Sequence, residues 1–497
     1  MTGRQNIRSI AWCVSCAACA LLAPTAHADL ETLIPQLNNP IEIAAARANQ
    51  AVYDRLTLPQ GPNQQGICDP LLVADPGEGP CSGEVFRVFT RVRELVHNAN
   101  ELTGSGPTAF SLGLDLGGVG RALRWTAAEE LAAQGNSATR FTGSQLNSLA
   151  NRLSALRFGA RGFRVVDADS GDAQWLADAG HRPRGGGASG DGELLKRWGG
   201  FIDGSFGYGR QEDTTNLPVP GSEDAFDYDG LDLTGGLDYR FGTNVVVGAL
   251  VGYTERRIDF DSRVSIVDGS IDSDGLSFIA YVFWEGDKTY LSASLGTQML
   301  EHDMVRRIAY PSFNPLLEPV DETALSTTDS RALLGSFAIG RDWRFGGFSI
   351  EPYLRGEYQH IVIDGFTEHN GDGFDLLYDE QKMNSFDVAV GLKLQHVFTP
   401  SFGIVVPFVR GELHRDLGND SRTIDAVYAG VADASSMNSR ENFALATNEP
   451  DDQYYLASAG FSLVFKYGLQ VFLQYQRAFE LEHIEDNVIA GGLRFEF

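Results

Sequence analysis

The chain has 497 residues and a formal net charge of -27 at pH 7. This length exceeds that of one ordinary domain, so we expect at least two parts. A chain so acidic is poorly suited to neutralising a phosphate backbone, which argues against nucleic acid as a partner. An acidic surface is compatible with divalent cations and with solubility.

Residues 1–28 have the features of a secretory signal peptide. The segment begins with basic residues, continues with a mostly apolar stretch and ends on a small-x-small site. We therefore expect cleavage between Ala28 and Asp29. The apolar stretch is too short to cross a bilayer as an anchor. Lipidation at Cys19 is a second alternative.

Cys68 and Cys81 are the two cysteines that follow the predicted signal. Two nearby cysteines flanked by Pro and Gly in an exported chain predict one disulfide that closes a short loop. Such a loop would contribute about 3 kcal/mol in the chain-entropy description. A metal site or a catalytic thiol is the alternative. It would need a histidine inside the loop or a second cysteine pair, and the loop has neither.

Residues 29–164 carry helical periodicity. Ala45, Ala48, Val52 and Leu56, for example, recur at the spacing of one helix face. We predict a small helical domain of about four amphipathic helices around one modest core. Glycine and charged residues then dominate residues 165–194, which we interpret as a Gly-rich linker with a short helix.

Residues 195–497 repeat segments of roughly ten residues in which apolar and polar side chains alternate. Successive strand side chains point to opposite faces, and roughly ten residues cross a bilayer as a tilted strand. The sequence therefore predicts a mainly β protein, a twelve-stranded antiparallel transmembrane β-barrel preceded by a small α-helical domain. The predicted strands are residues 198–208, 226–241, 244–255, 271–284, 289–299, 329–343, 348–360, 385–397, 403–414, 454–465, 469–477 and 487–497.

The connections between these strands alternate between short and long, as they do in outer-membrane barrels with short periplasmic turns and longer external loops. The longest predicted loops are residues 300–328, 361–384 and 415–453. Aromatic residues beside the short turns predict an interfacial girdle. We interpret the acidic clusters of the long loops as a solvated rim rather than a cation site.

Alternation also assigns faces within a strand. In the second strand, Leu237 is predicted to meet lipid and Asp238 to face the lumen. The repeated patterns at residues 352–357 and 407–412 place two Arg-Glu pairs inside. Buried charges should be paired, so we favour a structural role for them over substrate handling. These predicted lumenal charges are Arg355, Glu357, Arg410 and Glu412.

Three segments resemble the autotransporter β-domain family: Trp198-Gly199-Gly200, Gly235-Gly236-Leu237-Asp238-Tyr239 and the terminal Leu493-Arg494-Phe495-Glu496-Phe497. The resemblance covers residues 195–497 and implies a twelve-stranded outer-membrane barrel with a helix threaded through it. In that family the terminal aromatic is read by the outer-membrane assembly machinery, which implies that Phe495 and Phe497 form the assembly signal. We expect residues 191–197, which lead into the first strand, to form a lumenal helix.

Members of this family that release their N-terminal part often cut between paired Asn residues near the barrel helix. Here the Asn-Asn pair is Asn38-Asn39, far upstream, so we expect the N-terminal part to stay attached. The resemblance and the strand pattern together predict a non-enzymatic protein of the cell outer membrane whose barrel anchors or displays the helical domain. Its expected partners are outer-membrane lipid and the barrel assembly machinery, and we expect no cofactor.

Two other functions stay open at this point. A surface hydrolase with an unrecognised site is one, although the chain lacks a Gly-x-Ser-x-Gly elbow, a Ser-x-x-Lys motif and the Gly-Asp-Ser start of lipase passengers. A pore that passes small solutes is the other, and an unplugged lumen would permit it.

Overall fold

The computed structural model describes residues 29–59, 66–104, 106–127, 129, 131, 145–150, 152–154, 198–212, 225–242, 244–260, 267–418, 422–447, 451–465, 469–481 and 483–496. The predicted cleavage between Ala28 and Asp29, the predicted helix at residues 191–197, and Phe497 lie outside these residues. Phe495 lies in the last strand, but its side chain is likewise outside the description.

The N-terminal part begins with a 3₁₀ helix, Leu30–Gln36, followed by α1, Pro40–Thr57. The side chain of Asn39 caps α1 by accepting a hydrogen bond from the Ile41 amide, and Pro40 occupies the first turn, where its missing N–H costs nothing. The apolar face of α1 is fully buried at Ala45 and Val52. Because one face is apolar, α1 needs a partner surface.

Two further helices supply that surface. They are α2, Glu84–Thr103, and α3, Leu116–Thr126. Helix α2 ends at Gly104, whose positive φ of 72° gives the left-handed C-cap that glycine adopts without strain. Asp115 caps α3 by accepting from the Gly118 amide at 2.7 Å. No helix in the described part of the chain is both long enough and apolar enough to span a membrane.

A disulfide joins Cys68 to Cys81, with their Cα atoms 5.2 Å apart, and this confirms the predicted bond. Both cysteines are buried against the helices. The loop that the bond closes leads from α1 into α2, and most of its residues are exposed.

Twelve long strands form the C-terminal part, as predicted, and each pairs antiparallel with its neighbours. The ring closes where the first strand pairs with the last, from Gly199 opposite Glu496 to Gln211 opposite Ile484. A short strand, Trp343–Phe345, adds a thirteenth member at one turn. The long strands are β1 Trp198–Gln211, β2 Phe226–Phe241, β3 Val245–Phe260, β4 Asp268–Glu285, β5 Thr289–Tyr310, β6 Val320–Arg341, β7 Phe348–Ile363, β8 Gln381–His396, β9 Gly403–Asp416, β10 Gln453–Phe465, β11 Gln470–Phe479 and β12 Ile484–Glu496.

The two faces of the wall have opposite character. Leu231, Leu233 and Leu237 of β2 point outward and are 38%, 48% and 58% exposed. Asp232 and Asp238 on the same strand point inward and are buried. In β12, Leu493 is likewise exposed and Arg494 buried. The predicted register is therefore confirmed on these strands.

The prediction that residues 300–328 form a loop is wrong. Strands β5 and β6 each have 22 residues and pair in register up to Tyr310 opposite Val320. About ten residues suffice to cross a bilayer, so this hairpin projects well beyond the membrane. Its projecting inner face is mostly apolar, at Met304, Ile308 and Tyr310, because it packs against the helices rather than lining a wet lumen.

The other two long loops, 361–384 and 415–453, also hold structure. Short strands Phe366–Thr367, Leu376–Tyr378 and Ala426–Tyr428 form one small sheet. Thr423–Ile424 pairs with Leu445–Ala446 in a second. These sheets lie at the same end of the barrel as the projecting hairpin, because both loops leave the ring on the long-loop side.

Candidate functional site

The helical part sits on the long-loop mouth of the barrel. We call residues 29–127 the cap. Apolar side chains of α1, α2 and α3 form one continuous buried cluster with the barrel's projecting strands and long loops. The barrel side of this cluster includes Phe226, Tyr228, Ile258, Phe260, Met304, Ile308, Tyr310, Phe366, Phe374, Leu376, Tyr378, Tyr428 and Phe443.

A buried ion pair lies directly beneath the cap. Arg306 on β5 meets Glu368 through two hydrogen bonds, with Nε 2.9 Å from Oε1 and Nη2 2.6 Å from Oε2. Arg306 also donates to the carbonyl of Trp125 at the end of α3, at 3.1 Å. Glu368 also accepts from the Leu376 amide and the Tyr378 hydroxyl. One pair thus ties the strand, the loop sheet and the cap together.

Further polar contacts surround the edge of the cap. Arg91 on α2 lies 2.9 Å from Glu322 of β6 and 2.7 Å from Asp372. Arg55 on α1 pairs with Asp433 and Glu441 of the last long loop. Because these pairs are partly exposed, each contributes modestly, and the apolar cluster carries most of the docking energy.

A helical segment at residues 145–154, described except for residue 151, occupies the lumen. The side-chain amide of Gln145 donates to Asp232 and Thr254 and accepts from Thr234. These partners lie on β2 and β3, so the segment is fixed to the inner wall. We call it the lumenal helix, and it lies upstream of the residues from which a lumenal helix was predicted.

Arg152 anchors the far end of the lumenal helix. Its guanidinium makes an ion pair with Asp238 and lies 4.6 Å from the ring centroid of Phe201. The Tyr281 hydroxyl donates to the same carboxylate at 3.0 Å. Asp238 is close to the short turn after β2, so the helix extends towards the short-turn end of the barrel.

The four predicted lumenal charges all point inward and meet in one cluster. Arg355 lies 3.4 Å from both Glu357 and Glu412, and Arg410 lies 3.8 Å from Glu412. The two pairs are therefore joined through Glu412. Arg355 also donates to Asn147 of the lumenal helix at 3.3 Å, so the cluster holds the helix as well as the wall.

The sequence interpretation missed His414, which extends this cluster. Its Nδ1 lies 2.9 Å from Asp387, its ring stacks on Tyr454, and the Tyr454 hydroxyl donates to Asp387. The signal was present in the sequence, since His414 comes two residues after Glu412 and so shares its face. A second histidine, His302, is bracketed by Ser273 and Ser330 on neighbouring strands.

Neither histidine sits in a triad of nucleophile, base and carboxylate. His302 has hydroxyl partners on both sides, while His414 has carboxylate partners. Within the described ranges, no group of three or more His, Cys, Asp or Glu side chains is arranged to hold a metal ion.

Two small cavities, of about 500 and 550 Å³ counting the space open to solvent, lie beside the lumenal helix. Both border Ser154, Lys393 and Arg410. The Lys393 ammonium group donates to the Ser154 hydroxyl at 2.5 Å, which holds the end of the helix against the wall. The described part of the lumen thus holds a helix with its own anchoring contacts.

Glu94 and His97 are two of the buried titratable groups on α2 in the cap. Burial raises the pKa of Glu94 to about 7, although Arg91 and Arg93 act in the opposite direction. Its Oε2 atom has no hydrogen-bond partner among the described residues. Burial, with Arg93 nearby, lowers the pKa of His97 to about 4. His97 lies 3.4 Å from the Tyr53 hydroxyl and accepts at Nδ1 from the Phe110 amide.

These pKa shifts have opposite consequences for stability. The folded cap binds the Glu94 proton more tightly than the unfolded chain does, so this contribution is present at low pH and is lost as the pH rises towards 7. For His97 the unfolded chain binds the proton more tightly, so stability rises between about pH 4 and 6.5.

We predict that Glu94→Gln will stabilise the cap at pH 8, by up to about 3 kcal/mol, because the neutral amide avoids an ionised buried carboxylate. Near pH 4 the variant and the natural protein should differ little. Pulse proteolysis of the cap in urea at both pH values measures this. The exposed Glu78→Gln is the control, and an equal gain there, or no gain at pH 8, would contradict the assignment.

A closed antiparallel ring with an apolar outer face, a charged inner face and a helix in its lumen defines the class of outer-membrane β-barrels. The profile of the family described as "Autotransporter beta-domain" matches residues 198–476. The chain belongs to this family. Its barrel therefore resides in the outer membrane, where lipid surrounds the exposed leucines of the wall.

Curated relatives include the Esterase EstA proteins of Pseudomonas aeruginosa and Pseudomonas putida, each 21% identical over 268 residues. These alignments cover 54% of this chain but 38% of each esterase, so the chain spans less than half the length of these relatives.

Two solved structures of similar shape are autotransporter domains. The translocator domain of NalP from Neisseria meningitidis is 15% identical with a TM-score of 0.46, covering 72% of this chain and 97% of that one. The beta domain of the Bordetella autotransporter BrkA is 16% identical with a TM-score of 0.41, covering 60% of this chain and 99% of that one.

Proposed function

We propose that this autotransporter-type barrel keeps the helical cap permanently docked over its own mouth and displays it on the outside of the cell. The observation that carries the proposal is the shared apolar cluster between the cap helices and the projecting strands. A protein part that was meant to be released would need a polar surface of its own, whereas this cap buries its apolar faces on the barrel.

The side of the membrane follows from the lengths of the connections. Outer-membrane barrels turn tightly on the periplasmic side and carry long loops outside. The cap contacts the long loops and the projecting ends of β5 and β6. It would therefore face the exterior, and the lumenal helix would descend from it through the barrel.

Retention of the cap has support from the one Asn-Asn pair. Asn39 is 7% exposed and caps α1 through its side chain. Asn38 is exposed, but the conformation of Asn39 is fixed by its role as the cap of α1, which disfavours cleavage of the bond between them. Asn39 thus has a structural role, and we propose that the cap stays covalently joined to the barrel.

The assembly signal at the C-terminal end of the barrel is proposed from the resemblance to the family. The last strand pairs with β1 up to Glu496 opposite Gly199, and Phe495 lies in that strand. We propose that Phe495 and Phe497 present the terminal aromatic pattern to the barrel assembly machinery, so that deleting Phe497 should lower the amount of inserted barrel.

We also propose that the chain is not an enzyme. The histidines of the described lumen lack a triad, and the lumenal helix occupies the space that a substrate would need. The hydrolase alternative keeps a concrete test, because a serine-reactive probe would label a working nucleophile. For the pore alternative, the Arg152–Asp238 ion pair and the hydrogen bonds that hold the lumenal helix favour a closed lumen.

The deciding experiment places a specific protease site in the exposed part of the disulfide loop, near Gly77. On intact cells the protease should cut the loop, but the two fragments should stay joined through Cys68–Cys81 until a reductant is added. Cleavage that requires broken cells would place the cap inside. A cap fragment in the medium without protease would contradict retention.

A conductance measurement tests whether the lumen of the barrel is closed. The purified full-length protein should show little conductance in a planar bilayer, and deletion of residues 29–192 should raise it. Steady conductance by the intact protein would support the solute pore instead.

A further inference from the structure

At the outermost end of the molecule, two segments approach residues 107–113, one directly and one through Arg93. The connection between β5 and β6, residues 311–319, meets the cap where the Phe313 amide donates to the Leu112 carbonyl at 2.7 Å. The disulfide loop, residues 68–81, joins the same region through Arg93, which donates to the Leu72 carbonyl and lies 3.6 Å from the Phe110 ring centroid. We call the loop, residues 107–113 and the 311–319 connection together the tip surface.

Four large apolar side chains of the tip surface are exposed to solvent. Leu71 and Val73 of the disulfide loop are 60% and 79% exposed, and Phe313 and Leu316 of the connection are 71% and 83% exposed. Lipid cannot account for them, because Phe313 and Leu316 sit at the end of the two longest strands, while Leu71 and Val73 belong to the cap. Exposed apolar groups that gather at one surface indicate an interaction site.

The charges of the tip surface all have one sign. Its three segments contain no Lys or Arg, while Asp69, Asp75, Glu78 and Glu318 are exposed there. A second copy of this chain would bring the same carboxylates and a net charge of -27, so the two copies would repel. Anionic lipid headgroups would be repelled in the same way. The partner that complements the surface is both basic and apolar.

The disulfide loop is also held in a fixed shape before any partner arrives. Asp75 accepts from the amides of Gly77 and Gly83, and Asp69 accepts from the amide of Leu71. The Cys68–Cys81 bond closes the loop at its base. A rigid loop loses less conformational freedom on binding than a flexible one, which favours affinity.

We propose that the tip surface docks a cationic amphipathic segment of another polypeptide. Leu71, Val73, Phe313 and Leu316 would contact its apolar face, and Glu78 and Glu318 would pair with its basic residues. The proposed display on the cell exterior determines where such a partner would come from, but the binding itself does not depend on it.

The test uses the full-length protein in a neutral detergent and a labelled synthetic Leu/Lys peptide that forms an amphipathic helix, with binding followed by fluorescence anisotropy. A peptide of the same composition, shuffled so that it has no apolar face, is the comparison. We expect the amphipathic peptide to bind more tightly than the shuffled one, and added salt to weaken binding. A Val73→Ser/Leu316→Ser variant should lose about tenfold in affinity or more.

Two matched variants make the outcome specific. Glu78→Gln/Glu318→Gln should bind more weakly at low salt and show a smaller salt dependence than the natural protein. Leu417→Ser, which removes an apolar side chain that is 60% exposed elsewhere on the mouth, should leave binding unchanged. Equal binding of the shuffled peptide, or an equal loss in the Leu417→Ser variant, would overturn the proposal. Self-association of the protein that Val73→Ser/Leu316→Ser abolishes would also overturn it, in favour of a second copy.

If the cap proved to face the periplasm, the proposed display would fail while this binding in detergent would persist. Loss of binding with surface display intact would instead reject the docking proposal alone. The two failures can therefore be told apart.

Discussion

Arg306→Met is expected to undock the cap while leaving the barrel assembled. Removing one partner of a buried ion pair leaves the other charge uncompensated, which costs about 3 to 5 kcal/mol. Here Glu368 would be left with its carboxylate buried beneath α3, and the Trp125 carbonyl would lose a donor. Protease resistance of the cap should fall sharply, whereas the heat-modifiable migration of the barrel should persist.

A double-mutant cycle refines the Arg306 result. Arg306→Met/Glu368→Leu replaces both charges by apolar groups and should recover much of the loss, since well-packed apolar pairs often match a buried ion pair. Arg331→Met is the control on the same hairpin, because Arg331 and its partner Asp364 are largely exposed and such pairs contribute little. A cap as protease-sensitive in the Arg331 variant as in the Arg306 variant would refute the assigned role of Arg306.

Leu237→Arg is expected to destabilise the inserted barrel by about 2 to 4 kcal/mol, because Leu237 faces lipid near the middle of the apolar band. Urea unfolding in lipid vesicles measures the difference. The matched control is Val305→Arg, which also points outward but lies on the part of β5 that projects beyond the membrane. A similar loss of unfolding free energy at both positions would mean that Val305 also lies in the lipid bilayer, contrary to the assignment.

The membrane-spanning parts of the strands could be predicted from the sequence because each strand follows one local rule. Strand β2 was predicted at residues 226–241 and is observed at Phe226–Phe241. Alternation fixes its faces, and the short turn after it fixes its end. The Arg355–Glu357 and Arg410–Glu412 pairs were likewise predictable, because residues two positions apart on a strand point to the same face.

The projecting hairpin could not be predicted in this way. At Met304 and Ile308 the inner face turns apolar, so the polar-in pattern that identifies a lumen-lining strand ends there. The reason lies in a partner that is distant in the chain, since these residues pack against the cap helices. The Arg306–Glu368 pair has the same origin, because nothing local links residues that are 62 positions apart.

The position of the lumenal helix also depended on distant partners. Helical spacing is visible in residues 145–154, but the sequence does not reveal that Gln145 and Arg152 meet Asp232 and Asp238 across the barrel. The buried charges of the wall were identified from one side only. Their partners on the helix are determined by contacts between residues that are distant in the chain.

The cap is joined by the chain itself to the first strand of the barrel, and this connection bears on how the protein is assembled. The cap and Trp198 lie at opposite ends of the lumen, and the described part of the chain between them is the lumenal helix. If the cap is displayed outside, as proposed, a bundle of three helices, each about 10 Å across, would have to pass a lumen that holds one. We therefore expect the cap to cross as an extended chain and to fold at its destination. The inner faces of β5 and β6 would then act as the template on which it folds.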